Sequence, residues 1–257
     1  MELAPGAAAA GVGLIACETV GSTNAEALSY ARAGEHGPLW ITARAQSAGR
    51  GRRGRTWVSE HGNLFATLLL TDPAPPEHAA QLAFVAALAV HDAIVAQAPG
   101  LAARLTFKWP NDILLGGAKV SGILIESEGT RPLMVAIGIG INCLHHPATT
   151  DYPATDLAAA GAAVTVEDLF KILSIAMVHR LREWAAGFAS IRTAWLRLAG
   201  AAGSELRVRL GARDLSGRFE TLDEAGRLRL RLADGTVETI VAGEIYPVEP
   251  AATPVGR

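Results

Sequence analysis

Gly49-Arg50-Gly51-Arg52-Arg53-Gly54-Arg55 sets four guanidiniums among three glycines in a chain of 257 residues. Read literally, the run fits G-x-G-x-x-G, the fingerprint that would make this a dinucleotide-binding Rossmann fold. That fingerprint needs a strand directly before it and a helix directly after it. Here Arg55-Thr56-Trp57-Val58-Ser59-Glu60-His61-Gly62-Asn63 follows and leads into an apolar strand, Asn63–Leu70. Asp72 stands at a plausible distance for a ribose acid, but no helix intervenes, so the doubly wound reading is set aside. The remaining readings are an RNA-binding arginine/glycine segment, a solvated charged loop and a phosphate-binding flap. The run is single and lies inside a folded pattern, unlike repeated arginine/glycine tails. Glycines let backbone N–H groups converge on an anion and guanidiniums bind phosphate or carboxylate bidentately, which favours the flap.

Composition narrows the classes. The formal net charge is −2, which argues against a general nucleic-acid or membrane-surface binder. Apolar runs are shorter than the ~20 residues of a membrane span, so no membrane association is expected. The N-terminus shows no basic region followed by a bulky apolar stretch. Cys17 and Cys143 are the only cysteines, which suits a reduced cytoplasm. Twenty arginines stand against three lysines, Lys108, Lys119 and Lys171. A chain that supplies Arg wherever a generic cation will do marks with Lys the places that need a compact ammonium. All four asparagines, Asn24, Asn63, Asn111 and Asn142, also fall in the first 142 residues, so the chemistry is expected there.

Along the chain, residues 1–13 are Ala/Gly-rich and expected to be disordered. Leu14–Val20 reads as a strand, and Gly21-Ser22-Thr23-Asn24 opens a helix with Thr23 and Glu26 in capping-box register. Leu39–Ala43 is a strand, and Ala79–Gln97 has helical apolar spacing. Strands follow at Arg104–Lys108, Ile113–Leu115, Lys119–Glu126 and Leu133–Asn142. Runs such as Ile123-Leu124-Ile125 suit a central sheet with helices behind it. Glu167–Leu198 is helical, with a break near Gly187. From Gly203 short alternating strands with turn signals point to a small closed barrel. The expected division is a catalytic domain at 14–202, a barrel at 203–250 and a tail at 251–257.

Two further constellations carry chemistry. Lys108-Trp109-Pro110-Asn111-Asp112 precedes Lys119 and Gly122. Trp-Pro-Asn-Asp alone is a good turn, but a turn does not explain Lys108. Asp112 between two lysines suits a site where a metal–phosphate group meets a carboxylate. In Gly138-Ile139-Gly140-Ile141-Asn142, alternate glycines strip one strand face of side chains. A close strand contact would also explain them; Asn142 adds a donor–acceptor pair suited to an adenine or phosphate.

Together, Gly21–Asn24, Gln46 with Gly49–Arg55 and Trp57, Lys108–Asp112, Lys119 with Gly122, and Gly138–Asn142 resemble the biotin–protein ligases in order and spacing, over roughly residues 14–250. The resemblance implies an α/β (α+β) fold: a mixed central sheet flanked by helices, of the class II aminoacyl-tRNA synthetase-like kind, with an SH3-like barrel after it. No helix-turn-helix precedes residue 14, so the resemblance is to the monofunctional members and no DNA binding is expected. It implies biotin and ATP as substrates, Mg²⁺, and formation of biotinyl-5′-AMP. Biotin then passes to a lysine of a biotin carboxyl carrier protein, in the cytoplasm, by a monomer or weak homodimer. Lipoate–protein ligase is the alternative; lipoate lacks a ureido ring, so the polar set below favours biotin.

The resemblance also assigns roles. Ser22, Thr23, Asn24 and Gln46 are assigned to biotin, whose ureido head meets Ser22, Thr23 and Gln46. Gly49 and Arg50 close over it. Arg52, Arg53 and Arg55 face the phosphates, and Trp57 packs on the ligand or the adenine. Lys119 meets the biotin carboxylate and the α-phosphate, and Gly122 leaves room for the valeryl chain. Lys108, Asn111 and Asn142 serve the nucleotide, with Lys119, Arg52, Asp112 and Lys108 as the catalytic group. Asp112 either holds Mg²⁺ or orients the attacking lysine. Ordering the seven-residue loop costs on the order of 7–14 kcal/mol, so it is expected to be mobile until ligand arrives.

Overall fold

Short apolar stretches pair into one seven-stranded mixed sheet in the computed structural model, which describes residues 1–150, 152–211 and 213–247. After a short helix α1 (Pro5–Ala9) come β1 (Gly13–Val20), α2 (Thr23–Arg32), β2 (Leu39–Gln46), β3 (Leu64–Thr71) and α3 (Leu82–Gln97). Then follow β4 (Leu105–Lys108), β5 (Asp112–Leu115), β6 (Ala118–Glu128) and β7 (Met134–Ile141). The strand order is β1-β2-β3-β7-β6-β5-β4. β1 and β2 run parallel, joined through α2, and the other neighbours are antiparallel.

Strand alternation separates the two faces of this sheet. Leu64, Ala66, Leu68 and Leu70 of β3 join the large core with α3, α4 (Val166–Ala185) and α5 (Phe188–Leu198). Leu69, with Ile41 and Ala136, packs instead on Ala27, Leu28 and Ala31 of α2. α2 covers only part of that second face. Register sets what lies on the remainder: Phe65 pairs with Gly140, Gly140 with Gly122, Gly122 with Asp112, and Asp112 with Lys108. In the next row Thr67 pairs with Gly138 and Gly138 with Leu124. A trough of glycines ending in an acid and a lysine is thus written into the pairing.

β8 (Glu205–Leu210), β9 (Arg213–Leu222), β10 (Leu228–Arg231), β11 (Val237–Ile240) and β12 (Glu244–Pro247) form an antiparallel sheet in the order β11-β10-β9-β8-β12. Its Leu206, Val208, Phe219, Leu222 and Leu228 join the same large core. Trp109, 2% exposed, ties the two sheets by donating Nε1–H to Gly226 O at 3.1 Å.

Three expectations need correction. Residues 1–13 are not disordered: α1 lies against α4, Ala7 is fully buried, and Ala4 N–H donates to Ser174 Oγ at 3.0 Å. Small side chains let the segment approach closely, and Met1 and Leu3 add apolar anchors. Thr23 does not cap α2; Ser22 is the N-cap and makes no side-chain cap bond. Lastly, Pro76–Gln97 is apolar enough over 22 residues to match a membrane span by length and composition, with 72% of the most apolar window buried inside the fold. α3 needs no polar face because the sheet, α4 and α5 enclose it. Gly187, at φ 138°, breaks the α4–α5 stretch where the sequence places the break.

Candidate active site

The glycine trough opens into a cleft of about 490 Å³. Its walls come from the start of α2, the 50–58 loop, the β4–β5 turn, residues Pro147, Thr149, Thr150, Tyr152 and Ala154, and β12. The Arg/Gly run forms a compact flap rather than a helix start. Trp57 N–H donates to Gly49 O at 2.9 Å and Gly51 N–H to Arg55 O at 2.7 Å, with a tight turn at Arg52–Gly54. Arg53 takes a left-handed φ of 59° there, an unusual demand on a non-glycine residue. Gly49 is a steric requirement: a Cβ would fall 2.6 Å from Trp57 O and closer still to Ser59 Oγ.

At one end of the cleft Ser22, Thr23 and Gln46 converge. Gln46 Oε1 accepts from Thr23 N–H at 2.8 Å and from Thr23 Oγ1 at 3.1 Å, so Gln46 satisfies a donor at the first turn of α2. Gln46 Nε2 donates to Ser59 Oγ at 2.9 Å. Asn24 stands behind them, 3% exposed, with its amide committed: Nδ2 donates to Glu126 Oε2 at 2.7 Å, and Oδ1 accepts from the Thr67 hydroxyl at 2.7 Å.

At the other end Lys119 Nζ lies 2.5 Å from Asp112 Oδ1 and 5.3 Å from the Trp57 ring centroid. Lys108 Nζ sits 3.6 Å from the Tyr152 ring centroid and 5.5 Å from that of Tyr246. Burial, seconded by Lys119 and opposed by Asp112, pulls the Lys108 ammonium below its ordinary pKa. Arg52 Nη1 donates to Asn111 Oδ1 at 3.1 Å, and burial lowers the pKa of this guanidinium as well. Asn111 Nδ2 in turn donates to Ile123 O at 2.5 Å. Arg55 and Arg53 reach Glu244 at 2.5 and 3.7 Å. Burial alone would raise Glu244, but the Tyr246 hydroxyl at 2.8 Å and the flap arginines outweigh it and hold that carboxyl below its ordinary value.

Most sequence-identified residues thus meet in one cleft. Gly49 and Arg53 do not line it; the first underlies the flap and the second faces Glu244. Asn142 lines it while donating Nδ2–H to Thr155 O at 3.0 Å. Trp57 lies over the glycines: a Cβ on Gly140 would come within 2.6 Å of its indole, and one on Gly122 within 2.9 Å. The space at Gly122 is therefore filled by the indole and the Lys119 side chain. Sequence reasoning missed Phe65, Glu126, Tyr152, Glu244 and Tyr246. Glu126 carried a signal, since period-two alternation puts it on the face of Gly122 and Leu124. Glu244 and Tyr246 come from the C-terminal sheet, far along the chain from the other site residues, and carried none.

The described cleft is lined by five cations, Arg50, Arg52, Arg55, Lys108 and Lys119, against two carboxylates, Asp112 and Glu244. Such a surplus beside a polar pocket suits a small molecule activated by a polyanion. Comparison with known proteins agrees. Residues 18–142 match the Biotin/lipoate A/B protein ligase family and residues 202–246 match the Biotin protein ligase C terminal domain. The biotin–[acetyl-CoA-carboxylase] ligase of Paracoccus denitrificans is 44% identical over 238 residues, 88% of this chain and 96% of that protein. The biotin protein ligase of Aquifex aeolicus, solved with biotin and ATP, superposes with a TM-score of 0.78 at 26% identity, over 91% of this chain and 97% of that one. The Leishmania major biotin protein ligase, solved with biotinyl-5-AMP, gives 0.65 at 29% identity, over 90% and 99% of the two chains. The chain belongs to the biotin/lipoate A/B protein ligase family. Within that family it falls among the biotin–protein ligases, as both its C-terminal match and its 44% relative require.

Proposed function

We propose that this one cleft joins biotin to AMP and then passes biotin to a lysine of a biotin carboxyl carrier domain. The observation that carries the reading is the polarity of the cleft: a neutral hydrogen-bonding set, Ser22, Thr23 and Gln46, at one end and the cations Arg52, Arg55, Lys108 and Lys119 at the other. A ureido ring offers this set both donors and an acceptor, whereas a dithiolane offers it no hydrogen-bonding partner, which favours biotin.

In the first step a biotin carboxylate oxygen attacks the α-phosphorus. A P–O bond forms, the bridging bond to the β-phosphate breaks, and pyrophosphate leaves. The barrier is anion meeting polyanion, and Lys119 and Arg52 lower it by cancelling charge where it develops. Lys119 exchanges its Asp112 partner for the incoming oxygens. Lys108, held among two tyrosine rings, presents an ammonium that burial makes easier to deprotonate. In the second step the acceptor amine attacks the acyl carbon, the C–N bond forms, the acyl–phosphate bond breaks and AMP leaves with release of a proton.

The donor set also fits Mg²⁺. Magnesium needs one or two carboxylates and completes its shell with water and phosphate. Asp112 Oδ1 is buried and receives no directed hydrogen bond, although the Lys119 ammonium is close. Asp112 would hold the ion beside the phosphates, where it supplies further charge neutralisation. The unpaired Cys17 and Cys143 suit a reducing cytoplasm.

The test is pyrophosphate release with biotin and MgATP, followed by label transfer to a carrier domain, with lipoate as the comparison. Release with biotin and not with lipoate is expected. Release with lipoate alone, or with neither acid, overturns the reading.

A further inference from the structure

A circuit of side-chain and main-chain hydrogen bonds runs along the wall of the cleft and joins the two limbs of the flap. It starts at Arg50, whose Nε and Nη2 donate to the two oxygens of Glu126 at 3.3 Å each. Glu126 Oε2 also accepts from Asn24 Nδ2 at 2.7 Å, and Asn24 Oδ1 accepts from Thr67 at 2.7 Å. Thr67 Oγ1 is hydrogen-bonded to Thr23 Oγ1 at 2.8 Å, and Thr23 to Gln46 Oε1 at 2.8 Å through its N–H. Gln46 Nε2 donates to Ser59 Oγ and the Ser59 hydroxyl to Trp57 O, both at 2.9 Å. Trp57 N–H closes the circuit on Gly49 O at 2.9 Å.

Thr67 is fully buried, and neither it nor Glu126 lines the cleft. Both nevertheless stand between the residues assigned to the biotin head and the flap residue Arg50. The hydroxyl of Thr23 has one proton to offer and two oxygens within reach, Gln46 Oε1 and Thr67 Oγ1. A ligand that engages Thr23 or Gln46 fixes that choice and polarises the bonds that follow. The chain ends in a charged bond, which responds most strongly.

We propose that Thr67 and Glu126 are positioning residues that couple occupancy of the biotin-head pocket to closure of the flap over the adenylate. This rests on the biotin-ligase reading. By linkage, whatever biotin adds to flap closure, flap closure adds to biotin affinity.

The experiment measures tryptic cleavage of the arginine-rich flap with and without biotin, and the biotin KM for pyrophosphate release. It is run on the full chain as wild type, Thr67→Val, Thr67→Ser, Glu126→Gln and the Val/Gln double variant. Melting without biotin checks each fold. Thr67→Val and Glu126→Gln are each expected to raise the biotin KM roughly tenfold and to lose biotin-dependent protection. The double variant should be no worse than the worse single one, because both cut the same chain. Thr67→Ser, which restores the hydroxyl but not the methyl, should recover protection. Wild-type protection in Thr67→Val, multiplicative losses in the double variant, or equal losses in Thr67→Val and Thr67→Ser would each overturn the coupling while leaving the ligase reading intact. No biotin response in the wild type overturns both.

Discussion

Replacing Gly138 by alanine puts a methyl group where Asn24 already sits. The new Cβ would lie 2.9 Å from Asn24 Cγ and 3.0 Å from Nδ2, and closer still to Oδ1. Asn24 has little room to yield, being 3% exposed and held by Glu126 and Thr67 at 2.7 Å each. Forcing a methyl into a filled site costs about 1–3 kcal/mol. If Asn24 swings aside it loses its bond to the Glu126 carboxylate, worth about 1.5–3 kcal/mol. Together these come to about 2.5–6 kcal/mol, and at ~2–4 °C per kcal/mol for a chain of this size the melting temperature falls on the order of 10 °C. Gly122→Ala is the control. Its Cβ meets Trp57 Cζ3 at 2.9 Å and Lys119 Cε at 3.1 Å, groups at the ends of side chains that can move. That variant should stay within about 1 kcal/mol of wild type and lose adenylate formation instead. Calorimetry and urea melts of both proteins, with pyrophosphate release alongside, decide the matter. A Gly138→Ala protein melting within ~2 °C of wild type, or a Gly122→Ala protein as unstable as it, refutes the reasoning.

Other outcomes follow from the site's charges and its buried groups. Because burial pulls Lys108 below the ordinary 10.5, the alkaline limb of adenylate formation should lie below that value, and Lys108→Arg should move it upward; a limb that does not move removes Lys108 from the step. Burial pushes the Cys143 thiol from 9.0 up to about 12, so the unfolded chain ionises first and stability is lost as pH rises from 9 towards 12, by up to about 1.4 kcal/mol per pH unit. Urea melts at about pH 8 and about pH 10 should show that loss in wild type and less of it in Cys143→Ala; equal losses sink the assignment. Arg52→Ala should make the adenylate more slowly and release what it makes, seen as biotin on bystander lysines, whereas tight retention would place Arg52 outside adenylate binding.

Local pattern carried most of the fold into the sequence. Turn signals, period-two runs and the Gly187 break mark the strands and helices of both sheets. The site was legible where its residues share a strand or a turn, as with Lys108–Asp112 and Gly138–Asn142. What escaped depends on pairing. Nothing local says that Gly122 will stand between Gly140 and Asp112, or that β12 will bring Glu244 to Arg55. Trp109, read in the sequence as part of a turn, lines the cleft and also ties the two sheets together. α1 escaped for a different reason: an alanine-rich segment has weak apolar signal, and its order comes from the close approach that small side chains allow.

The partners of the flap explain how a cluster of like charges can be folded and still serve a phosphate. Arg50 is answered by Glu126, and Arg53 and Arg55 by Glu244, on strands far apart in the chain. The side chains of these arginines are between 41% and 52% exposed, the range in which an ion pair is worth about 1 kcal/mol or less. Charge-assisted bonds to an enclosed phosphate contribute more, ~1.5–3 kcal/mol each, so exchange of partners favours the ligand. Arg52 differs from its neighbours. Its partner is the neutral amide of Asn111, it has no carboxylate within ion-pair distance among the described residues, and burial weakens its hold on its proton. It is the flap cation with the most to gain from an incoming anion. Under the proposed function this separates the roles within one heptapeptide: three arginines hold the flap in shape on weak, replaceable contacts, and Arg52 is kept short of counter-charge for the phosphate that the reaction brings.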